Sequence, residues 1–315
     1  MSDLLEPGDT ARVSPRARLV SSPTEGRNDR TLDIDVLPTL SMLELINDED
    51  ASVAGAVRAA LPGLAVVVDA ASQALRDGGR VHYFGAGTSG RLAVLDAAEL
   101  GPTFGLPPGV VVAHIAGGDS ALVRAAEGAE DDADAGAAAA GGVTARDVAI
   151  GLSASGSAPY VSGALRHAGS AGAVTALFTS NPRAPLAADA SVVVCADTGP
   201  EAVTGSTRLK AGTAEKLLLN SFSTALMVRD GRTFSNLMIR LAPVNAKLRG
   251  RQIVLLSQAS GAATEDCATA LAAAGGEVRV ALVALLSGAD AETARAALAK
   301  AGGVARAAIA QLAGG

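Results

Sequence analysis

Three stretches of this chain concentrate side chains able to bind or transfer a group. The first is Val81-His82-Tyr83-Phe84-Gly85-Ala86-Gly87-Thr88-Ser89-Gly90-Arg91, an apolar run that empties into a glycine turn bearing two hydroxyls and a guanidinium. Glycines let backbone N–H groups approach a ligand, Thr88 and Ser89 add donors, and the apolar run from Leu92 predicts a helix whose positive end faces the same spot. The turn is therefore suited to an oxyanion. Gly85, Gly87 and Gly90 also spell G-x-G-x-x-G, the dinucleotide fingerprint. A pyrophosphate site wants bare backbone, however, and the hydroxyl pair with Arg91 better suits a terminal phosphate monoester. Taken alone, the segment is explained equally well as a plain strand-to-helix turn.

The second stretch, Ser153-Ala154-Ser155-Gly156-Ser157, is another hydroxyl-rich turn, with Pro159 at a predicted helix start. Two such loops on parallel strands favour a phosphosugar clamp over coincidence. The third, from Thr198 to Thr213, is dense in donors, among them Thr204 and Ser206. Arg208 and Lys210 there could bring positive charge to an anionic ligand, or the segment could simply connect.

Acidic residues offer proton chemistry. Glu99 ends a predicted helix just before Gly101-Pro102, at the negative pole of the helix dipole, where a carboxylate is disfavoured and a general acid is favoured. An ordinary solvated helix end is the competing reading, and position alone favours it. Glu127, Glu130, Asp131 and Asp134 fall three and four residues apart in a predicted helix over residues 120–139, so like charges stack on one face. Solvation is their usual fate, but one turned toward a cleft would be a base candidate. Asp119, in the glycine turn 116–120, is better read as a helix cap than as a ribose ligand.

These residues need a scaffold, and the pattern predicts one. Strands are expected at 80–84, 110–115, 148–152, 173–178 and 191–195, alternating with helices at 51–75, 92–100, 120–139 and 160–168. Alternation of this kind means an α/β fold, a parallel sheet with helices on both faces and ligands beyond the carboxyl ends of the strands. Further helices are expected at 214–227 and 236–248. From Arg249 the chain becomes short Ala-rich helices punctuated by glycines, read as a small C-terminal helical subdomain. The expected organisation is a disordered tail over 1–22, an α/β domain with N-terminal helices over 23–248, and the helical subdomain over 249–315.

Composition narrows the chemistry. The 315-residue chain is 49% hydrophobic but 2% aromatic with no Trp, so its core is aliphatic and it lacks a stacking platform for bases. A net charge of −6 argues against a nucleic-acid surface. Cys195 and Cys267 have no partners at metal or redox spacing, and His82, His114 and His167 show no paired-ligand spacing, so neither a metal nor a disulfide is expected. The first residues lack a signal-peptide core, and no stretch reads as a membrane span. A soluble intracellular protein is the expectation.

With these pieces assembled, the chain resembles the N-acetylmuramic acid (MurNAc) 6-phosphate etherases of the sugar-isomerase (SIS) domain superfamily, from Thr24 to its end. The matching motifs are Thr24-Glu25-Gly26-Arg27-Asn28, Gly85 to Arg91, Leu95-Asp96-Ala97-Ala98-Glu99, Ile115-Ala116-Gly117-Gly118, Glu127-Gly128-Ala129-Glu130-Asp131, and Val203-Thr204-Gly205-Ser206 with Arg208, Lys210, Ala211, Gly212 and Thr213. The resemblance implies cofactor-free cleavage of the D-lactyl ether of MurNAc 6-phosphate to N-acetylglucosamine (GlcNAc) 6-phosphate and D-lactate during cell-wall recycling. Glu99 and Glu130 match the two catalytic acidic positions. Cytoplasmic homodimers with a C-terminal region like a ubiquitin-associated fold are implied too. One departure stands out: Ser157-Ala158 occupy the place where the family commonly carries Arg-Thr, removing a guanidinium.

The reaction needs two proton carriers. Ring opening exposes an aldehyde that acidifies C2–H, a base removes that proton, an acid helps lactate leave C3, and water adds to the enal. Glu99 is the better acid by its helix-end position, leaving Glu130 as the C2 base by elimination. Glu99 lies nine residues past Gly90, roughly 13 Å along a continuous helix, longer than a sugar's reach from phosphate to C3. Either the phosphate sits on the 153–157 loop, or two subunits share each site. A sugar-phosphate isomerase, a non-catalytic phosphosugar sensor and a dinucleotide enzyme are the competing classes. Release of D-lactate, binding without turnover, and binding of NAD(P)H respectively distinguish them.

Overall fold

Period-two alternation along each strand divides its side chains between two faces, and both faces of this sheet are covered. The computed structural model describes residues 22–240 and 246–314, with side chains from 250 onward in the second span. The chain enters through three short 3-10 turns and two helices, α1 (Thr39–Asp50) and α2 (Val53–Arg76). Strands β1 (Val81–Gly85), β2 (Val111–Ile115), β3 (Val148–Leu152), β4 (Val174–Thr179) and β5 (Val192–Cys195) form one parallel sheet in the order β2-β1-β3-β4-β5. All five expected strands are present. On one face Val81, Tyr83, Val148, Ile150, Ala176 and Phe178 pack against α2, α3 (Gly87–Phe104) and α6 (Lys210–Arg229). On the other, Phe84, Ala149 and Leu177 pack against α5 (Pro159–Ser170), which in turn lies on α4 (Ala133–Ala139).

Several helices differ from expectation. The stretch 120–139 is broken into 3-10 turns at Asp119–Leu122 and Ala129–Asp131, with Gly128 between them at φ 71°, and only Ala133–Ala139 is α-helical. Asp132 caps α4 by accepting the Ala135 N–H at 2.8 Å. Glu127, Glu130, Asp131 and Asp134 thus share no helical face. Helix α3 starts earlier and runs later than the pattern predicts, passing through Pro102 to a left-handed Gly105 at φ 62°. Glu99 therefore stands more than a turn inside the helix. Where 236–248 reads as helix, β6 (Thr233–Phe234) and β7 (Leu237–Met238) form a hairpin, and helix resumes at Ala246 in α7 (Ala246–Ser260). Residues 1–21, expected as a tail, lie outside the described residues. Ser22 is buried, with its hydroxyl 2.9 Å from that of Thr24.

Contrary to the sequence reading, the helical stretch Thr39–Arg76 is long and apolar enough to cross a membrane, with a mean hydropathy of 1.8 over its best window. Its second half, α2, turns Val53, Leu64, Val67 and Ala71 into the core against β5 and α6.

The C-terminal helices α8 (Thr264–Ala273), α9 (Val278–Ser287), α10 (Ala291–Lys300) and α11 (Ala305–Ala313) enclose a second core around Leu256, Cys267, Val280, Leu282 and Leu298. They carry an internal repeat that composition obscures: Leu271, Gly275, Gly276 and Arg279 recur as Leu298, Gly302, Gly303 and Arg306. Both glycine pairs adopt positive φ and turn one helix onto the next. Arg232, just after α6, donates to the Phe104 and Gly105 carbonyls at the end of α3, at 3.1 and 2.8 Å, and so ties the ends of these two helices together.

Helices α4 and α5 approach closely: a Cβ on Gly163 would stand 1.9 Å from the Ala133 carbonyl oxygen. Overpacking there outweighs the helix propensity gained, so Gly163→Ala should lower unfolding free energy by about 2 kcal/mol. Gly55→Ala, whose Cβ would meet nothing within 4 Å, should raise it slightly. Urea titrations of the two variants check the pair, and equal stabilities would contradict the packing.

Candidate active site

The strand order places the chain reversal between β1 and β3, so the carboxyl ends of these neighbours open onto a crevice. Gly85 and Leu152 are register partners, and the loops 85–91 and 153–157 leave the sheet side by side. A Cβ on Gly90 would lie 2.5 Å from Ile115 Cγ1 and 2.8 Å from the Gly85 oxygen, so glycine is required for α3 to start directly against the end of β1. The N-cap of α3 is Ala86, which has no side-chain acceptor to offer the first-turn N–H groups. That turn is open to an anion.

The second loop is held from β4. Ser153 N–H donates to the Phe178 carbonyl at 3.1 Å, Thr179 Oγ1 to the Ala154 carbonyl at 3.1 Å, and Asn181 Nδ2 to the Ser155 carbonyl at 2.8 Å. The hydroxyls of Ser155 and Ser157 lie 2.8 Å apart and are half-buried, while Ser153 is buried. Gly156, at φ 64°, makes the turn.

A cleft of about 180 Å³ adjoins the first loop, lined among others by Gly87, Arg91, Glu127, Gly128 and Glu130. Arg91 anchors its far wall, donating from Nε to the Leu122 carbonyl at 3.0 Å and from Nη2 to the Arg124 carbonyl at 3.1 Å. The glycine-broken segment that defeats the helix prediction is what carries Glu130 to the mouth of α3. Glu99 is exposed farther along α3 and is not among the residues lining this cleft. Thr88 is half-buried, its methyl facing Gly212 of α6.

Helix α6 closes the crevice from the other side, through acidic residues that sequence reasoning passed over. Ser89 Oγ donates to Glu215 Oε2 at 2.8 Å, and burial, against the lowering effect of that bond, pushes the Glu215 carboxyl up to about 7. Lys210 points inward, its ammonium 2.7 Å from Glu49 Oε2, with Arg30 Nη2 2.6 Å from Oε1. Burial drives the Glu49 carboxyl up, but the hydrogen bonds from Lys210 and Asn28 and the charges of Lys210 and Arg30 bring it below its ordinary range. Glu201 caps α6, accepting the N–H groups of Lys210 and Ala211 at 2.9 and 3.0 Å, while burial holds its pKa above the usual value. A lone Glu at 215 within an apolar helical pattern was a visible signal. Nothing in the sequence pairs Glu49 with a lysine 161 residues away.

Thr204 and Arg208 are exposed and Ser206 is half-buried. Their loop is fastened to the N-terminal motif by Gly205 N–H donating to the Thr24 carbonyl at 3.1 Å and Thr31 Oγ1 to the Ala202 carbonyl at 2.9 Å. His82 and His114 face each other across β1 and β2, Nδ1 to Nε2 at 3.1 Å, and burial with the neighbouring His82 lowers His114 to about 4. Burial, then Asp197, pushes the Cys195 thiol up to about 11, which disfavours its thiolate. Among the described residues no group of three or more His, Cys, Asp or Glu side chains could hold a metal ion.

Comparison with known proteins adds an identity to this geometry. The family described as the glucokinase regulatory protein N-terminal SIS domain matches residues 64–169. A solved phosphoheptose isomerase from Francisella tularensis is 19% identical at a TM-score of 0.45, covering 59% of this chain and 98% of its own. Two curated relatives are named N-acetylmuramic acid 6-phosphate etherase. That of Thermobifida fusca (strain YX) is 58% identical over 84% of this chain and 87% of its own. That of Cutibacterium acnes (strain DSM 16379 / KPA171202) is 51% identical over 82% and 86%. With more than half of the aligned residues shared across more than four-fifths of its length, the chain belongs to the N-acetylmuramic acid 6-phosphate etherase family.

Proposed function

We propose that this protein cleaves the D-lactyl ether of MurNAc 6-phosphate, without a cofactor, to give GlcNAc 6-phosphate and D-lactate in cytoplasmic cell-wall sugar recycling. Beyond family membership, the observation that carries this reading is the cleft that places Glu130 and Arg91 beside Gly87 at the positive end of α3. A phosphate across the loops 85–91 and 153–157 would meet the α3 N-terminus, the hydroxyls of Thr88, Ser153, Ser155 and Ser157, and the Ser89 side chain. In the open-chain sugar Glu130 takes the C2 proton. The C3–O bond breaks as the leaving lactate oxygen receives a proton from Glu99, and the ionised Glu99 then deprotonates the water that adds to C3 of the enal. The proton on Glu130 returns to C2. Two acids thus complete an elimination and a hydration with no net change in the protein.

Because α3 is continuous from Gly87 to Phe104, Glu99 lies about 13 Å beyond Gly90, and no helix break shortens that distance. A homodimer in which one subunit brings Glu99 to its partner's Glu130 resolves this. Val36, Leu40 and Leu43 support such a dimer, being 75%, 68% and 58% exposed on the N-terminal segment. Thr204, Ser206 and Arg208 remain candidates for the distal part of the substrate. Lys210, committed to Glu49, would act on it only indirectly by fixing the start of α6. Arg183, exposed two residues after the Asn181 that holds the Ser155 carbonyl, can supply the charge that Ser157 lacks.

Purified protein should release D-lactate from MurNAc 6-phosphate and do so poorly from unphosphorylated MurNAc; aldose–ketose interconversion without lactate would contradict the assignment. Glu99→Gln should lose lactate release while still exchanging C2–H with deuterated solvent, and exchange lost there but kept in Glu130→Gln would reverse the two roles. Ser155→Ala should weaken apparent affinity about tenfold, the loss of one hydrogen bond to a charged group. Mixed Glu99→Gln and Glu130→Gln chains should regain activity, since one of the two sites in a heterodimer would hold both intact carboxylates. No recovery in verified heterodimers would assign each pair to a single subunit.

A further inference from the structure

Glu215 has no part in the chemistry above, yet it is wholly enclosed at the base of the crevice. Its Oε2 accepts from Ser89, and its Oε1 has no hydrogen-bond partner among the described residues. A cavity of about 10 Å³, room for about one water, lies against it, lined by Ala154, Phe178, Thr179, Ser180, Ala211 and Leu218. An ionised carboxylate with one oxygen bare in such a place is expensive, whereas the neutral acid needs fewer partners. Charged groups on α3 and α6 near it have other partners: Lys216 donates to Asn220, and Arg91 to the Leu122 and Arg124 carbonyls. Lys210, on α6, is bound to Glu49. Asp96, on α3, accepts from Tyr83 on β1 and from Ser223 on α6 at 3.0 and 2.9 Å. Neither β4 nor the loop 153–158 carries a charged side chain.

We infer that Glu215 sets the direction of the Ser89 hydroxyl, and that a sugar phosphate binds at the α3 N-terminus together with one proton taken up from solvent at this carboxyl. A serine hydroxyl has a single proton to give. While Glu215 is ionised, Ser89 donates inward and turns lone pairs toward the crevice, where they repel a phosphate oxygen. Once Glu215 is protonated, its O–H donates to Ser89 Oγ, and the serine proton is free to turn outward to the phosphate. A titration near 7, as burial produces here, places this coupling within the working range. By reciprocity, the bound dianion raises the carboxyl's affinity for its proton. Glu215 is thus a positioning residue, and the inference rests on the proposed phosphate site.

The test is calorimetric titration of the full chain with GlcNAc 6-phosphate between pH 7.5 and 8.5, repeated in buffers of differing ionisation enthalpy. This window lies above the phosphate's own titration, near about 6. Wild type should take up on the order of half a proton or more per ligand at pH 8, and its Kd should weaken by up to about tenfold per pH unit. Glu215→Gln, which has no proton to gain or lose at this position, should bind with a Kd independent of pH and with no proton uptake. Ser89→Ala should bind more weakly and also lose the uptake, which keeps the test decisive if the glutamine variant does not fold. Uptake that persists in either variant, or a wild-type Kd that is flat over this range, would overturn the inference. Thr88→Val and Ser155→Ala separate the two layers: affinity unchanged in both would remove the phosphate site and the inference with it. Binding that depends on them but takes up no proton would remove the inference alone.

Discussion

Everything at this site depends on how closely the end of β1 can approach the start of α3. Parallel pairing of β1 with β2 on one side and β3 on the other opens a crevice at the strand ends, but only a helix that begins at once can aim its N–H groups into it. Gly85 and Gly90 meet that demand, since a Cβ at either position would stand within 3 Å of the other's backbone. Placing the helix there also sets its far end: a straight α3 carries Glu99 away from its own N-terminus. The same scaffold leaves Glu99 outside the cleft that Glu130 lines, which is why the mechanism proposed above draws the two acids from different subunits.

A second theme is that polar residues near the crevice are spent on one another. Ser89 holds Glu215, Lys210 holds Glu49, Arg91 holds two carbonyls of the 119–124 turn, and Glu201 caps α6. Burying one charge without its partner would be strongly unfavourable, so the Lys210–Glu49–Arg30 cluster ties α6, α1 and the N-terminal turns into one unit. The Thr24–Asn28 motif takes part by bonding to the 200–206 loop. Motifs far apart in sequence are thus adjacent in space, and several of their polar side chains build the site's walls.

The sheet was legible in the sequence because buried parallel strands are short, continuous and apolar, and because glycine turns punctuate them. Val148 to Leu152 and Val110 to Ile115 needed no long-range information. The segment 120–139 misled because alanine spacing reads as helix, while Gly128, at positive φ, breaks it. The hydroxyl loops were visible as loops, but the direction of each hydroxyl was not. Ser89 and Thr88 are neighbours of the same type, yet the first faces a carboxyl 126 residues away and the second packs its methyl on Gly212. Such partners are set by tertiary packing, which local pattern does not encode. The same limit explains why Lys210 read as a ligand-facing cation and lies instead in a buried ion pair.

The proposed chemistry depends on where the phosphate lies. A crystal structure with GlcNAc 6-phosphate bound is its most direct test. The phosphate should lie within hydrogen-bond distance of the first-turn N–H groups of α3 and of Ser155 Oγ, with the sugar ring extending toward Glu130 and the partner subunit's α3. A phosphate held instead at the 203–208 loop, with the α3 N-terminus left to solvent, would contradict it.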